Sequence, residues 1–183
     1  GRPRVMGFDD GRGLSNSLIE RVASLVPHGR WREFKGLAVA TGPGGFTGTR
    51  LSVVMARTLA QQLGCPLLGV SSFALMAQRL ATDEQPFWIT QPLLRRGVVA
   101  GQYRVRDAVV EELQAPRLLE ADQQVSPAVE AEVDVDVDVA ALLGRLQRSL
   151  QRDESLPWQP VLPISPTSPG GPVCWPGSGR ESG

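Results

Sequence analysis

Two residue types that carry much of enzyme chemistry are nearly missing from this sequence. Of its 183 residues, one is histidine and one is lysine. A catalytic triad or an imidazole metal site would have to use His28, which stands between Pro27 and Gly29. A histidine base needs an orienting partner and a nucleophile nearby. We therefore predict a solvated turn histidine and no catalytic residue.

The scarcity of lysine bears on phosphate binding. Lys35 precedes the glycine-dense turn at residues 41–48, so this turn lacks the lysine of a Walker A loop. A dinucleotide fingerprint would need a third glycine where the chain has Thr47. The turn either cradles an anion through its N–H groups or serves close packing, with Thr47 or Thr49 capping the next helix. We favour packing and expect a positive φ at Gly44.

Cysteine is scarce, and long apolar runs are absent. Cys65 and Cys174 match no metal-ligand spacing, so we predict two reduced thiols, no metal site and no cofactor. No apolar stretch approaches the ~18 residues that a membrane span needs. The start of the chain, at Gly1 without an initiator methionine, lacks the apolar segment of a secretory signal. The expected location is the cytoplasm, without membrane contact.

The charges are balanced, with 19 basic and 19 acidic residues and a pI near 6.8. A protein that binds nucleic acid by itself carries a basic patch. The 18 arginines of this chain are scattered instead, which is typical of solvated faces. Any RNA substrate would have to be held mainly by a partner.

Apolar spacing predicts two helices on either side of a short strand. The first helix follows a strand at Arg4–Phe8, is capped by Ser15 and ends at Pro27. Its apolar stripe comprises Leu14, Leu18, Ile19, Val22, Leu25 and Val26. The second helix, residues 47–63, is apolar around most of its circumference and must be covered on both sides.

The next segments predict an α/β architecture. Gly64 ends the second helix, residues 66–70 form a buried strand, and Ser71 and Ser72 cap a third helix that reaches Leu80. Strand, helix, strand, helix in this order favours a parallel sheet. Residues 82–86 mark a lobe boundary, and two strands at 87–90 and 98–105 form a hairpin. We divide the chain into a first lobe (1–84), a second lobe (85–154) and a tail (155–183).

The signal weakens after residue 111. Valines and aspartates alternate over residues 133–139, which predicts a solvated edge strand or an irregular repeat. A calcium loop is excluded because the turn glycine and the distal glutamate are missing. A helix is expected at 140–152. The last 29 residues contain seven prolines and five glycines, so we expect little regular structure there, with Trp158 and Ile164 as anchors on the core.

Three segments carry a family resemblance. They are Gly42-Pro43-Gly44-Gly45-Phe46-Thr47-Gly48-Thr49-Arg50, Ala56-Arg57-Thr58-Leu59-Ala60 and Leu63-Gly64-Cys65-Pro66-Leu67-Leu68-Gly69-Val70-Ser71-Ser72. They resemble the TsaB (YeaZ) family, whose signature is G-P-G-S-F-T-G-x-R, a helix and a G-V-S-S/T element. The chain departs from this pattern at Gly45, where the family has serine. The family's Asp-Ala-Arg-x-Gly-Glu element is reduced to Arg95-Arg96-Gly97-Val98.

The resemblance implies a fold and a role. The fold is an actin/Hsp70-like (ribonuclease H-like, ASKHA) α/β core, here lacking its first strands and with a partial second lobe. The role is that of a non-catalytic partner of TsaD in forming N6-threonylcarbamoyladenosine in tRNAs that read ANN codons. TsaE, an ATPase, would complete the assembly, a homodimer is an alternative, and tRNA would be reached only through the complex. The expected partner interface comprises Leu18, Val22, Arg50, Leu51, Val54, Met55, Thr58 and Gln62.

An enzyme of the same fold is the alternative hypothesis, with the 41–48 turn binding a nucleotide for hydrolysis. Few sequence features support this hypothesis. The sequence around Ser71 begins like a nucleophile elbow but has Phe73 where the second glycine is needed. Asp9 and Asp10 are adjacent acids in a glycine-rich turn, and such acids ordinarily stay ionised and independent.

Overall fold

Two sheets and four helices make up the protein, as seen in a computed structural model that describes residues 4–8, 13–94 and 96–164. The first part contains α1 (Leu14–Leu25), a short 3-10 helix (His28–Glu33), β1 (Leu37–Ala40), α2 (Phe46–Leu63), β2 (Leu67–Val70) and α3 (Ser72–Leu80). The second part contains β3 (Phe87–Leu93), β4 (Gly97–Arg106), β5 (Val109–Leu118), β6 (Ala128–Glu130) and α4 (Val135–Gln151).

The first sheet is the predicted parallel pair. β1 and β2 align with Leu37 opposite Leu67 and Ala40 opposite Val70, joined by α2 as the crossover. Side chains alternate across this sheet. Val39 and Leu67 pack with Val53 of α2, whereas Ala40, Leu68 and Val70 face the cluster around α3. The alternation thus divides the interior into two clusters.

The second sheet has the order β5-β4-β3-β6. The predicted hairpin of β3 and β4 is confirmed, with Phe87 opposite Tyr103. β5 pairs antiparallel with β4, and β6 pairs parallel with β3; the sequence analysis predicted neither strand. The inner face of this sheet packs against α3, where Ile89, Val99 and Tyr103 join Phe73 in the largest apolar cluster.

α4 corrects the prediction of an edge strand. The valine and aspartate repeat enters a helix at Val135, because the Asp134 carboxylate accepts a hydrogen bond from the Val137 N–H (3.1 Å) and caps it. Farther along, Leu146 and Leu150 lie against Gly36, next to β1. α4 thereby reaches from the second sheet to the back of the first.

Other helix starts also differ from the predictions. α1 begins after Gly13, so Ser15 lies inside the helix, and residues 4–8 form no strand. α2 begins after Gly45 without a side-chain cap, so neither Thr47 nor Thr49 caps it. The predictions of Gly64 as the C-cap of α2 and of Ser71 as the N-cap of α3 are confirmed, and Gly64 is left-handed (φ +62°). Ser72, also expected to cap α3, is instead the first residue of that helix.

The start of the expected tail belongs to the core. Trp158 and Val161 pack on the cluster between α2 and the first sheet, and the Ile164 N–H donates to the Thr41 carbonyl oxygen (2.7 Å). The predicted anchoring by Trp158 and Ile164 is therefore confirmed. In the described part of the chain, no helix has both the length and the apolarity to cross a bilayer.

Candidate functional site

The glycine turn, residues 42–48, joins β1 to α2 and is half buried and half exposed. Gly42 and Pro43 are buried, and the Gly42 carbonyl accepts a hydrogen bond from the Ser72 N–H (2.8 Å). Gly44, Gly45 and Thr47 are exposed, whereas the Phe46 side chain lies outside the described part of the structure. The buried half of the turn therefore fixes α2 to α3.

The left-handed glycine of this turn is Gly42 (φ +96°), so the expectation for Gly44 was wrong. A Cβ atom on Gly42 would lie 3.1 Å from the Thr49 Cγ2 atom and 3.2 Å from the Ile164 carbonyl oxygen. Gly48 faces α1, with its Cβ position 3.4 Å from the Leu14 Cδ2 atom. Glycine at 42 thus lets the turn approach the segment at Ile164, and glycine at 48 lets α2 approach α1. This close packing is what the packing hypothesis predicts.

Two hollows lie near the carboxyl ends of β1 and β2. The apolar groove has a volume of about 340 Å³ and lies between Pro43, Gly44 and Gly45 of the turn and the side chains of Leu75, Met76 and Leu142. The cleft has a volume of about 870 Å³ and lies between Thr41 and Ser71 on one side and α4 on the other. Of residues 41–48, only Thr41 lines the cleft. The glycines of the turn therefore do not face the larger hollow.

The residues predicted for a partner interface lie on α1 and α2, and we call this set the α1–α2 face. Leu18, Val22, Arg50, Leu51 and Met55 are partly buried, whereas Val54, Thr58 and Gln62 are exposed. The α2 members recur at helical spacing, so they share one side of that helix. Val54 is 58% exposed although valine favours burial.

Ile19 is an apolar residue that the interface prediction omitted. It is 52% exposed and stands beside Leu18 in the sequence of α1. Its place in the apolar stripe of the first helix was the signal that could have found it. Exposed Ile19 and Val54 give each of the two helices an uncovered apolar position.

The candidate nucleophile Ser71 is a helix cap. Among the described residues, the Ser71 hydroxyl lies 3.1 Å from the Tyr103 hydroxyl, which donates to Glu112 (3.0 Å). Burial, together with the nearby Glu112, raises the pKa of Tyr103. A tyrosine held neutral in this way is a poor base, so the three groups tie α3 to the second sheet.

The other titratable residues considered in the sequence analysis lie in ordinary structural settings. His28 is exposed and contacts the Trp31 ring edge to face at 4.3 Å between centroids. Cys65 is partly buried, and burial raises the pKa of its thiol. The described residues contain no group of three His, Cys, Asp or Glu side chains placed to hold a metal ion. Asp9, Asp10, Arg95 and Cys174 lie outside the described residues.

Comparison with known proteins identifies the class of protein. The model of the family "TsaD: tRNA N6-adenosine threonylcarbamoyltransferase" matches residues 25–128, more than half of the chain. The TsaB protein of Bacillus subtilis (strain 168), a tRNA threonylcarbamoyladenosine biosynthesis protein, is 34% identical over 86 residues. That match covers 45% of this chain and 36% of the relative. The chain belongs to the TsaD family and is similar to the TsaB (YeaZ) proteins.

Solved structures agree on the fold. YeaZ from Pseudomonas aeruginosa is 19% identical, with a TM-score of 0.60 over 83% of this chain and 84% of that one. A second structure, described as similar to peptidase YEAZ from Pseudomonas aeruginosa, is 18% identical with a TM-score of 0.64 over 83% of each chain. The chain therefore has the actin-like (ASKHA) α/β fold of these proteins, which confirms the fold class that the resemblance implied.

Proposed function

We propose that this chain is a non-catalytic subunit that binds a TsaD-type protein through the α1–α2 face. It thereby supports formation of N6-threonylcarbamoyladenosine in tRNA, in the cytoplasm. The observation that carries the proposal is the outer side of α2, where Val54 is 58% exposed and Leu51 and Met55 are only partly buried. Membership of a family named for this tRNA modification supports the choice of partner.

The geometry of the face suits a helical partner. α1 and α2 lie in contact, with Leu14 against Gly48, so their outer sides present a pair of neighbouring helices. A pair of helices packs well against a similar pair, because ridges of side chains fit the grooves between them. Since TsaD is related in fold by the resemblance, we propose that its equivalent helices supply that second pair.

The rest of the assembly follows from this partner. The balanced charge of the chain supports contact with tRNA only through the complex. A TsaE-type ATPase would bind the resulting pair. A homodimer through the same face would compete with the TsaD-type partner, because one surface cannot be covered twice.

Co-purification with the TsaD-type protein of the same cell tests the proposal. Val54→Glu should weaken binding at least about tenfold, because it forces a carboxylate into a desolvated contact. Val137→Glu is the matched control: it places the same charge on a helical valine of α4 that is 46% exposed. Binding by Val54→Glu as tight as by Val137→Glu would contradict the proposal.

The enzyme hypothesis has less support than the partner hypothesis. Its binding element was the 41–48 turn, of whose glycines two, Gly44 and Gly45, border the apolar groove and none lines the cleft. Titration of the isolated chain with ATP, followed by a hydrolysis assay, distinguishes the two. Turnover of ATP by the chain alone would favour the enzyme.

A further inference from the structure

The apolar groove exposes large apolar side chains at the start of α4. Val133 is 70% exposed and Val135 is 48% exposed, and both line the groove opposite the glycine turn. The one charged lining residue, Asp138, is buried and paired with Arg79. Most of the other lining residues are apolar. Clustered apolar surface that is open to water marks a contact site, so we asked which segment covers the groove.

The last described residue lies beside this groove. The Ile164 N–H donates to the Thr41 carbonyl oxygen (2.7 Å), at the carboxyl end of β1. The carbonyl oxygen of Ile164 lies 3.2 Å from the Cβ position of Gly42. Pro43, the next residue of the turn, lines the groove. The chain that follows Ile164 therefore starts at the rim of the groove.

The sequence after Ile164 concentrates its large apolar residues in one place. Residues 173–175 are Val-Cys-Trp, with a proline on either side. Trp175 stands eleven positions after Ile164, and at about 3.3 Å per residue this length spans up to about 36 Å. The reach is ample, because the groove begins beside Ile164. An indole ring buries a large apolar area, and a short tether raises its effective concentration, so that a weak contact is enough.

We propose that residues 173–175 dock into the apolar groove of their own chain, with the Trp175 ring against Val135 and its aliphatic neighbours. Docking covers the exposed valines at the start of α4 and the exposed glycines of the turn. The cleft also borders Ile164, but its lining contains charged side chains of both signs, which suit an apolar segment less well. This contact is separate from the α1–α2 face and does not depend on the proposed partner.

Alkylation of Cys174 by iodoacetamide in the full chain tests the proposal, because docking of the adjacent ring shields this thiol. Mass spectrometry of the digested chain gives the rate, relative to the rate of the same variant in urea. Val135→Glu should raise this relative rate at least about fivefold, since a carboxylate in the groove opposes docking of an apolar ring. Val137→Glu is the matched control: Val137 is 46% exposed on α4 but does not line the groove. Its relative rate should change by less than about twofold, because an exposed charge is screened.

A second variant changes the docking segment instead of the groove. Trp175→Ala removes the ring and should raise the relative rate as much as Val135→Glu does. It alters no residue of the groove, so a faster reaction cannot come from damage to α4. Equal rates for Val135→Glu and Val137→Glu, or no effect of Trp175→Ala, would overturn the proposal. Protection of Cys174 that rises with protein concentration would also overturn it, because the segment would then occupy the groove of a second copy.

Discussion

Two helices that follow strands of the same sheet are packed very differently. α3 has nine residues, and five consecutive ones, Phe73 to Ala77, are buried. α2 has eighteen residues, and among those whose burial the structure describes, only Val53 and Ala60 are buried. Both helices are rich in apolar residues, so composition does not explain the difference. What differs is the number of elements that cover each helix.

The difference in burial follows from the elements that pack on each helix. α3 packs between the first sheet and the second, and α4 closes its far side through the ion pair of Arg79 with Asp138. α2 packs on the first sheet and on α1, which leaves the outer side with Val54 uncovered. A helix with apolar residues on an uncovered side indicates an external contact. α3 therefore belongs to the core, whereas the outer side of α2 is free to make the partner contact proposed above.

The largest expected effect is in α3. Phe73→Ala should lower the free energy of unfolding by about 3–5 kcal/mol, because it leaves a cavity where a fully buried ring was. Urea unfolding followed by circular dichroism measures it. Val54→Ala, on the uncovered side of α2, is the control and should cost less than about 1 kcal/mol. Similar losses for both variants would contradict the difference between the helices.

Breaking the ion pair between α3 and α4 should have the next largest effect on stability. Asp138 is buried and accepts hydrogen bonds from Arg79 (3.1 Å) and from the Asp134 N–H (3.1 Å). Asp138→Ala leaves Arg79 without this partner and should cost about 2–3 kcal/mol in urea unfolding. The control, Asp136→Ala, removes an exposed acid of the same helical turn. A cost for Asp138→Ala no larger than for the control would show that the ion pair does not fasten α4.

The glycine turn should have an intermediate effect. Gly42→Ala should lower the thermal stability by about 1–2 kcal/mol, because alanine resists a φ of +96° and its Cβ would crowd Ile164. At Gly45, a Cβ atom would meet nothing within 4 Å, so Gly45→Ala is the matched control. Thermal unfolding of the two variants gives the difference. If both variants melt at the same temperature, the left-handed turn at Gly42 is wrong.

The smallest expected effect is on the isolated chain carrying Val54→Glu. Since the side chain is 58% exposed, the carboxylate stays in water, and stability should change by less than about 0.5 kcal/mol. Urea unfolding without a partner measures this value. A loss of several kcal/mol would mean that the outer side of α2 is covered by the chain itself.

Local signals predicted the first half of the fold well. The boundaries of α2, β2 and α3 lie within a residue of the predictions, because Gly64 and Ser71 mark helix ends by their own chemistry. The hairpin of β3 and β4 was also predicted, since both strands carry dense apolar runs. The positive φ fell on Gly42 instead of Gly44, because contacts with Thr49 and Ile164 decide the path of the turn.

Long-range contacts explain what was missed. The start of α4 alternates with a strand period, yet Asp138 is held by Arg79, which lies 59 positions earlier in the chain. β5 is a largely exposed edge strand that contains Pro116, so it has little apolar alternation. The arginines of the cleft looked scattered in sequence. Only the fold shows that Arg145 and Arg148 share one hollow with Ser71.

Hydrogen exchange of the chain, alone and with the TsaD-type protein, tests the central claim most directly. Amide exchange reports which segments a partner covers or orders. We predict that exchange slows in residues 14–25 and 46–63 and stays unchanged in residues 72–80. A complex that forms while α1 and α2 exchange as fast as in the free chain would contradict the account.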